Sequence, residues 1–249
     1  KYLLDNIAGM KRAIESNKGL GNTRLVVFIA KDKKQSALIN IKYDKGVCKQ
    51  DTLEKFYSPI YLTTNGRVEL LNKVKQYAPA NRYAMIVGCH GMGWIPSSTV
   101  FKAKKSRYFG GLENGYKIDI DDFAESIKAA GMKMQFILFD DCYMSCMEVA
   151  YDLKDATDYI IASTSEVIDK GMPYHRIYQH LMPTEPNYQA VCDNFYNYYT
   201  NYSAPYGTIG VTDCRYMDEM VAMMKYINTK HTFDTDRLNN VQDLDGETF

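Results

Sequence analysis

His90 and Cys142 are the two side chains in this sequence best suited to act together. An imidazole moves protons and a thiol attacks carbonyl carbon, so a neighbouring pair makes a nucleophile with its acid/base partner. Each residue closes an apolar run of strand length. His90 follows Ile86-Val87-Gly88-Cys89, and Cys142 follows Phe139-Asp140-Asp141 at the end of another run. In open α/β sheets the side chains just past the carboxyl ends of strands share one crevice. The two residues are therefore expected on neighbouring strands, within reach of one substrate. The pattern places a helix directly after Cys142, whose dipole and free N–H groups would favour a thiolate. With the amide of Gly91, the amide at Cys142 is a candidate donor to an oxyanion. Cys146, one helical turn further on, is expected to face helix packing.

The rest of the chain must supply the sheet that brings these residues together. Leu3, Leu4, Ile7, Met10 and Ile14 recur at helical spacing, and Gly19 and Gly21 end that helix. Arg24 to Ala30, Arg82 to Cys89 and Met134 to Asp140 are continuous apolar runs, the pattern of strands covered on both faces. Residues 36–43 and 47–56 alternate and predict a hairpin closed around Asp44-Lys45-Gly46. Helices are expected from Val68 to Tyr77, Ile120 to Ala130, Cys142 to about Asp155 and Arg215 to about His231. Further strands are expected from Asp158 to Ser163 and from Gly207 to Thr212. The Tyr- and Asn-rich stretch from Phe195 to Tyr202 reads as one face of a helix. This alternation predicts an α/β fold, a mostly parallel sheet with helices on both faces, as a single domain over residues 1–249.

Bulk properties remove several functions. Lys+Arg and Asp+Glu both number 30, and the one dense basic run, Lys102 to Arg107, is short. Nucleic-acid binding needs a clustered basic surface, so no such partner is expected. No stretch approaches the length of apolar sequence that spans a bilayer. Six cysteines in 249 residues do not make a disulfide scaffold. Cys142 and Cys146 have no second close Cys/His pair to complete a tetrahedral metal set, so no metal site is expected. The opening Lys1-Tyr2-Leu3-Leu4-Asp5 lacks the layout of a signal peptide, so compartment is not legible here.

Longer motifs sharpen the reading. A histidine about 50 residues ahead of a cysteine agrees with the order in caspase-type enzymes. Cys89-His90-Gly91-Met92-Gly93-Trp94 resembles the His-Gly-x-Gly-Trp segment of the clostripain family of cysteine peptidases. The run from Phe139 to Leu153 is similar to that family's Asp-x-Cys-x-Met-x-x-x-Glu-x-x-Tyr-x-Leu segment. Ile161 to Glu166, then Gly171-Met172-Pro173-Tyr174, resemble its Ala-Ser-x-x-Glu and Gly-x-Pro-Tyr stretch. The blocks stand in the family's order over roughly residues 85–175.

The resemblance implies a caspase-like αβα sandwich and an endopeptidase that cuts peptide or protein substrates after Arg or Lys. Cys142 would be the nucleophile, His90 the general acid/base and Asp140 the acid of the specificity pocket. A buried carboxylate suits that task, since it pairs a guanidinium bidentately and an ammonium as a point charge. The family's second pocket acid falls on Lys170, with Asp169 one place earlier. That departure keeps open a same-fold peptidase with a non-basic preference, and beside it a catalytically silent peptide-binding relative. Relatives are cut between their His and Cys segments by their own activity, which marks Lys102, Lys104, Lys105 and Arg107 as candidate self-cleavage sites. The resemblance also implies export from a bacterial cell and a calcium requirement in some members, with no cofactor needed for the chemistry. Against the family pattern, the chain is expected to lack the family's first strand and its C-terminal extension.

Overall fold

The computed structural model describes residues 2–32, 34–93, 109–111, 114–202 and 206–232. The elements run α1 (Tyr2–Ser16), β1 (Leu25–Asp32), β2 (Gln35–Asp44), β3 (Val47–Phe56), α2 (Thr64–Tyr77) and β4 (Tyr83–Val87). Three short strands follow, β5 (His90–Gly91), β6 (Phe109–Gly110) and β7 (Lys117–Ile118), then α3 (Ile120–Ala129) and β8 (Met134–Phe139). The last are α4 (Met147–Leu153), β9 (Thr157–Ala162), α5 (Tyr174–Leu181), α6 (Tyr188–Thr200), β10 (Gly210–Asp213) and α7 (Met217–Lys230).

The central sheet has the order β10-β9-β8-β4, with β4, β8 and β9 parallel and β10 antiparallel at one edge. Its strands alternate between two helical layers, as a period of two requires. Phe136, Leu138 and Ile161 face Met10 and Ile14 of α1, Ile177 and Leu181 of α5, and Val191 and Phe195 of α6. Ile137, Phe139 and Ile160 face Leu71 of α2, Phe123 and Ile127 of α3, and Val149 and Leu153 of α4. This is the layered α/β sandwich expected.

Local chemistry sets the element ends. α1 stops where Lys18 and Gly19 both turn to positive φ, 56° and 134°. There the Gly19 N–H reaches back to the Ile14 carbonyl at 2.9 Å, a left-handed C-terminal cap. Thr63 caps α2 by accepting from the Gly66 N–H at 3.1 Å. The expected hairpin is β2–β3, paired from Asp44↔Val47 outward through Lys45 and Gly46, both at positive φ.

Three expectations are corrected. β10 starts three residues later than the alternation suggested, at Gly210. No helix follows Cys142 directly: α4 begins at Met147 with Cys146 as its N-cap, and residues 141–146 form a turn. β1 and β4, read as fully covered, are only partly buried. Among the described residues β1 pairs only with β2 and β4 only with β8, so each has one unpaired edge. Both strands nevertheless lie between the same two helical layers. Val27 and Ile86 pack on the α1 side, while Phe28 meets Tyr61 on the side where Met85 and Val87 lie.

Candidate active site

The parallel register of β4 and β8 brings the two strand ends level. Val87 stands opposite Phe139, and the Asp140 N–H then bonds the Val87 carbonyl at 2.8 Å. Beyond that rung the strands stop, but the segments stay together through a side chain. Asp141 accepts the Cys89 N–H at 2.5 Å, and the Cys89 sulfur lies 3.4 Å from its other oxygen. Two residues after Cys89, Gly91 is pressed on the Cys142 backbone. A methyl group built on it would lie 2.4 Å from the Cys142 carbonyl oxygen and 3.0 Å from its amide nitrogen. Only glycine fits so close an approach. His90 and Cys142 therefore leave adjacent backbones at the carboxyl end of the sheet, and His90 is exposed there.

The turn carrying Cys142 is held on its other side by the segment after β9. The Tyr143 N–H bonds the Ser165 carbonyl at 3.1 Å and the Ser145 N–H bonds the Ser163 carbonyl at 2.9 Å. Tyr143 sits at φ 61°, a left-handed conformation costly for a residue with a Cβ, immediately after the cysteine. The Cys142 sulfur lies 3.2 Å from the Val167 nitrogen and 3.7 Å from its oxygen, so the thiol is gripped by one peptide. Burial pushes this thiol up. The Val167 N–H works the other way, and the charges of Glu166, Asp141 and Asp140 add to the rise. Burial thus disfavours the thiolate, and no helix begins at Cys142 to favour it as expected.

Two buried carboxyls stand side by side before the cysteine. Asp140 accepts from the Asn6 amide at 2.7 Å, from the Met172 N–H at 2.9 Å, and from the Tyr174 hydroxyl. Burial still raises it to about 6. Gly171, at φ 64°, closes over this carboxylate: a Cβ there would meet both oxygens, at 2.6 and 2.7 Å. Asp141 is 1% exposed and is raised by burial to about 7, with the Cys89 N–H acting against the rise and Asp140 adding to it.

The remaining expected residues are dispersed. Asp169 is exposed and hydrogen-bonded by the Tyr2 hydroxyl, while Lys170 lies 5.4 Å from the centre of the Tyr202 ring. Lys102, Lys104, Lys105 and Arg107 lie outside the described residues. Cys146 packs against the core on the α2–α3–α4 side. Periodicity and spacing assign no role to Asn6, Asp141, Val167 or Tyr174. Asp141 and Tyr174 stand inside the quoted motifs, which was the one signal available for them. Beside Val167 a shallow depression is lined among others by Glu166, Phe195, Tyr199 and Tyr206. Among the described residues no group of three or more His, Cys, Asp or Glu side chains is placed to hold a metal ion. No helix of the described residues is long and apolar enough to cross a membrane.

Comparison with solved structures agrees with this architecture. A secreted C11 cysteine protease from Bacteroides thetaiotaomicron, "iotapain", is 44% identical with a TM-score of 0.92, covering 99% of this chain and 71% of its own. An inactive zymogen C11 protease from Parabacteroides distasonis is 28% identical with a TM-score of 0.81, covering 99% of this chain and 68% of its own. A clostripain from B. thetaiotaomicron in complex with the peptide inhibitor BTN-VLTK-AOMK is 53% identical with a TM-score of 0.54, covering 56% of this chain and 62% of its own. A search of curated proteins found no match. The clostripain family model matches residues 1–239. With its caspase-like fold and that match over nearly all its length, the chain belongs to the clostripain family and is a cysteine peptidase.

Proposed function

We propose that residues 1–249 act as one endopeptidase domain in which Cys142 attacks the scissile carbonyl and His90 carries the proton. The contact of Gly91 with the Cys142 backbone is the observation that carries this reading, because it sets the imidazole-bearing residue beside the thiol-bearing one. A thiol kept neutral by burial needs its proton removed as it attacks, and the same imidazole then protonates the leaving amine. The N–H groups of Gly91 and Cys142, on touching backbones, are the donors for the oxyanion.

The substrate in this reading is a peptide with Lys or Arg before the cut bond. Asp140 and the exposed Glu166 supply negative charge on the two sides of the Cys142 turn. The inhibitor held by the 53% identical relative carries the peptide VLTK, whose last letter is lysine. A non-basic preference is the second reading. It is favoured by the Asp140 carboxylate already being engaged by Asn6, Met172 and Tyr174, and by Lys170 at the second pocket position. Export is proposed from the relative described as secreted.

Irreversible peptide inhibitors ending in Lys, Arg, Ala or Glu test both parts of the proposal. The expected result is a single adduct on Cys142, formed at least about tenfold faster by the Lys and Arg compounds. An adduct on another residue sinks the nucleophile. Equal rates for all four sink the basic preference and leave the nucleophile standing.

A further inference from the structure

We propose that Asp141 is a positioning residue of the peptidase reaction, its buried carboxylate tying the segment that bears His90 to the turn that bears Cys142. The inference rests on the reading of His90 and Cys142 as the reacting pair. Its own support is geometric. The last backbone rung between β4 and β8 is Asp140 N–H to Val87 C=O, and past it the backbones make no further ladder. The next link is made by the Asp141 side chain, which takes the N–H of the residue immediately before His90. Its second oxygen meets the thiol of the same residue, Cys89. Its Cβ lies against the backbone of the residue immediately after, where a methyl on Gly91 would come within 2.6 Å of it. Asp141 thus touches both chain neighbours of His90 while standing next to Cys142 itself.

A carboxyl in this place is costly. It is removed from water beside the Asp140 carboxyl, and together these disfavour its charge by more than the Cys89 N–H and thiol restore. An apolar side chain would fill the volume without that cost, but it would leave the Cys89 N–H buried without an acceptor and the His90 segment held by the β5–β6 pairing without a bond to the Cys142 turn. Drift of about 1 Å between reacting groups is enough to cost about two orders of magnitude in rate. The Asp141 carboxylate makes no contact with the Cys142 sulfur, whose partner is Val167. Its effect on the reaction therefore passes through the alignment of His90 rather than through the substrate.

Three variants test the tether, with rates normalised to the fraction of enzyme that an irreversible peptide inhibitor ending in lysine labels. Asp141→Ala is expected to lower kcat at least about tenfold while KM stays within about twofold. Asp141→Asn, whose side-chain oxygen can accept the same Cys89 N–H, is expected to keep kcat within about threefold. An alanine variant with wild-type kcat overturns the inference, as does a folded asparagine variant that loses tenfold or more. The asparagine variant decides alone if the alanine variant does not fold. Cys142→Ala separates this failure from that of the underlying reading: turnover retained there removes the nucleophile, whatever Asp141 does.

Discussion

The Gly91 and Cys142 backbones touch, with no room between them for a single methyl group. The contact joins two loops far apart in the chain, one following β4 and one following β8, and it tolerates only a hydrogen at Gly91. Gly91→Ala must force the His90 and Cys142 segments apart, since backbone atoms cannot yield as a flexible side chain can. It is expected to cut kcat/KM about 100-fold or more, with a loss of roughly 1–3 kcal/mol in stability from overpacking. Steady-state kinetics beside urea unfolding check both, and an active Gly91→Ala enzyme would refute the contact.

Cys142→Ala is expected to abolish peptide cleavage, whereas Cys146→Ala keeps most of it. The Cys146 side chain packs with the core rather than opening to the crevice. Its loss costs packing of the order of 1 kcal/mol. Equal loss of activity in two folded variants would mean that the wrong thiol was chosen.

Asp140→Ala is expected to damage both fold and preference. It strands the Asn6 amide, the Met172 N–H and the Tyr174 hydroxyl together, at a cost of roughly 2–5 kcal/mol. If its charge also reads the substrate, the ratio of kcat/KM for lysine over neutral peptides falls at least about tenfold. Stability lost with the ratio unchanged would make Asp140 an anchor of the α1, β8 and α5 ends and nothing more.

The two buried carboxyls give stability a sloping pH dependence. Burial holds Asp140 at about 6 and Asp141 at about 7 in the folded chain, both above the ordinary value of 3.8. The folded protein therefore binds more protons than the unfolded one between those limits, and stability falls as pH rises through them. Asp141→Asn removes one of the two groups. Its Tm relative to wild type is expected to rise by several degrees between about pH 4.5 and pH 8. A difference that is flat or falls with pH contradicts the assignment.

Self-cleavage between Lys102 and Arg107 is expected to leave two chains that stay together. The cut would fall between β5 and β6, and the β4–β8 and β5–β6 pairings would join the pieces. Wild-type protein should then run as two bands on a denaturing gel and Cys142→Ala as one. A mutant nicked to the same extent in a protease-free preparation would show that the cut is made by another enzyme.

How far the sequence reveals this site depends on the range of each interaction. β8 and α3 are read nearly to the residue, because Met134 to Phe139 is a continuous apolar run and Ile120, Phe123, Ala124 and Ile127 keep one helical face. The turn after Cys142 is not legible. Its apolar residues mimic a helix, and no local propensity announces a tyrosine at φ 61° held by Ser165 from a later strand end. The same holds for Asp141. Periodicity reports what lies within a turn or two, while its partner Cys89 is 52 positions away. β1 and β4 mislead for a related reason: apolar runs report covered faces and carry no information on whether an edge is paired.

The burial of the Cys142 sulfur has a consequence for durability. None of the six cysteines is in a disulfide, and burial pushes up Cys48, Cys89, Cys142, Cys192 and Cys214 alike. Peroxide oxidises thiolates far faster than thiols, so a cysteine held protonated is slow to enter the sulfenic–sulfinic sequence. In the proposed reading, burial of the nucleophile's sulfur slows its oxidation between turnovers. Hydrogen peroxide should accordingly inactivate the resting protein slowly, and a Val167→Pro variant, which loses the N–H that favours the thiolate, no faster.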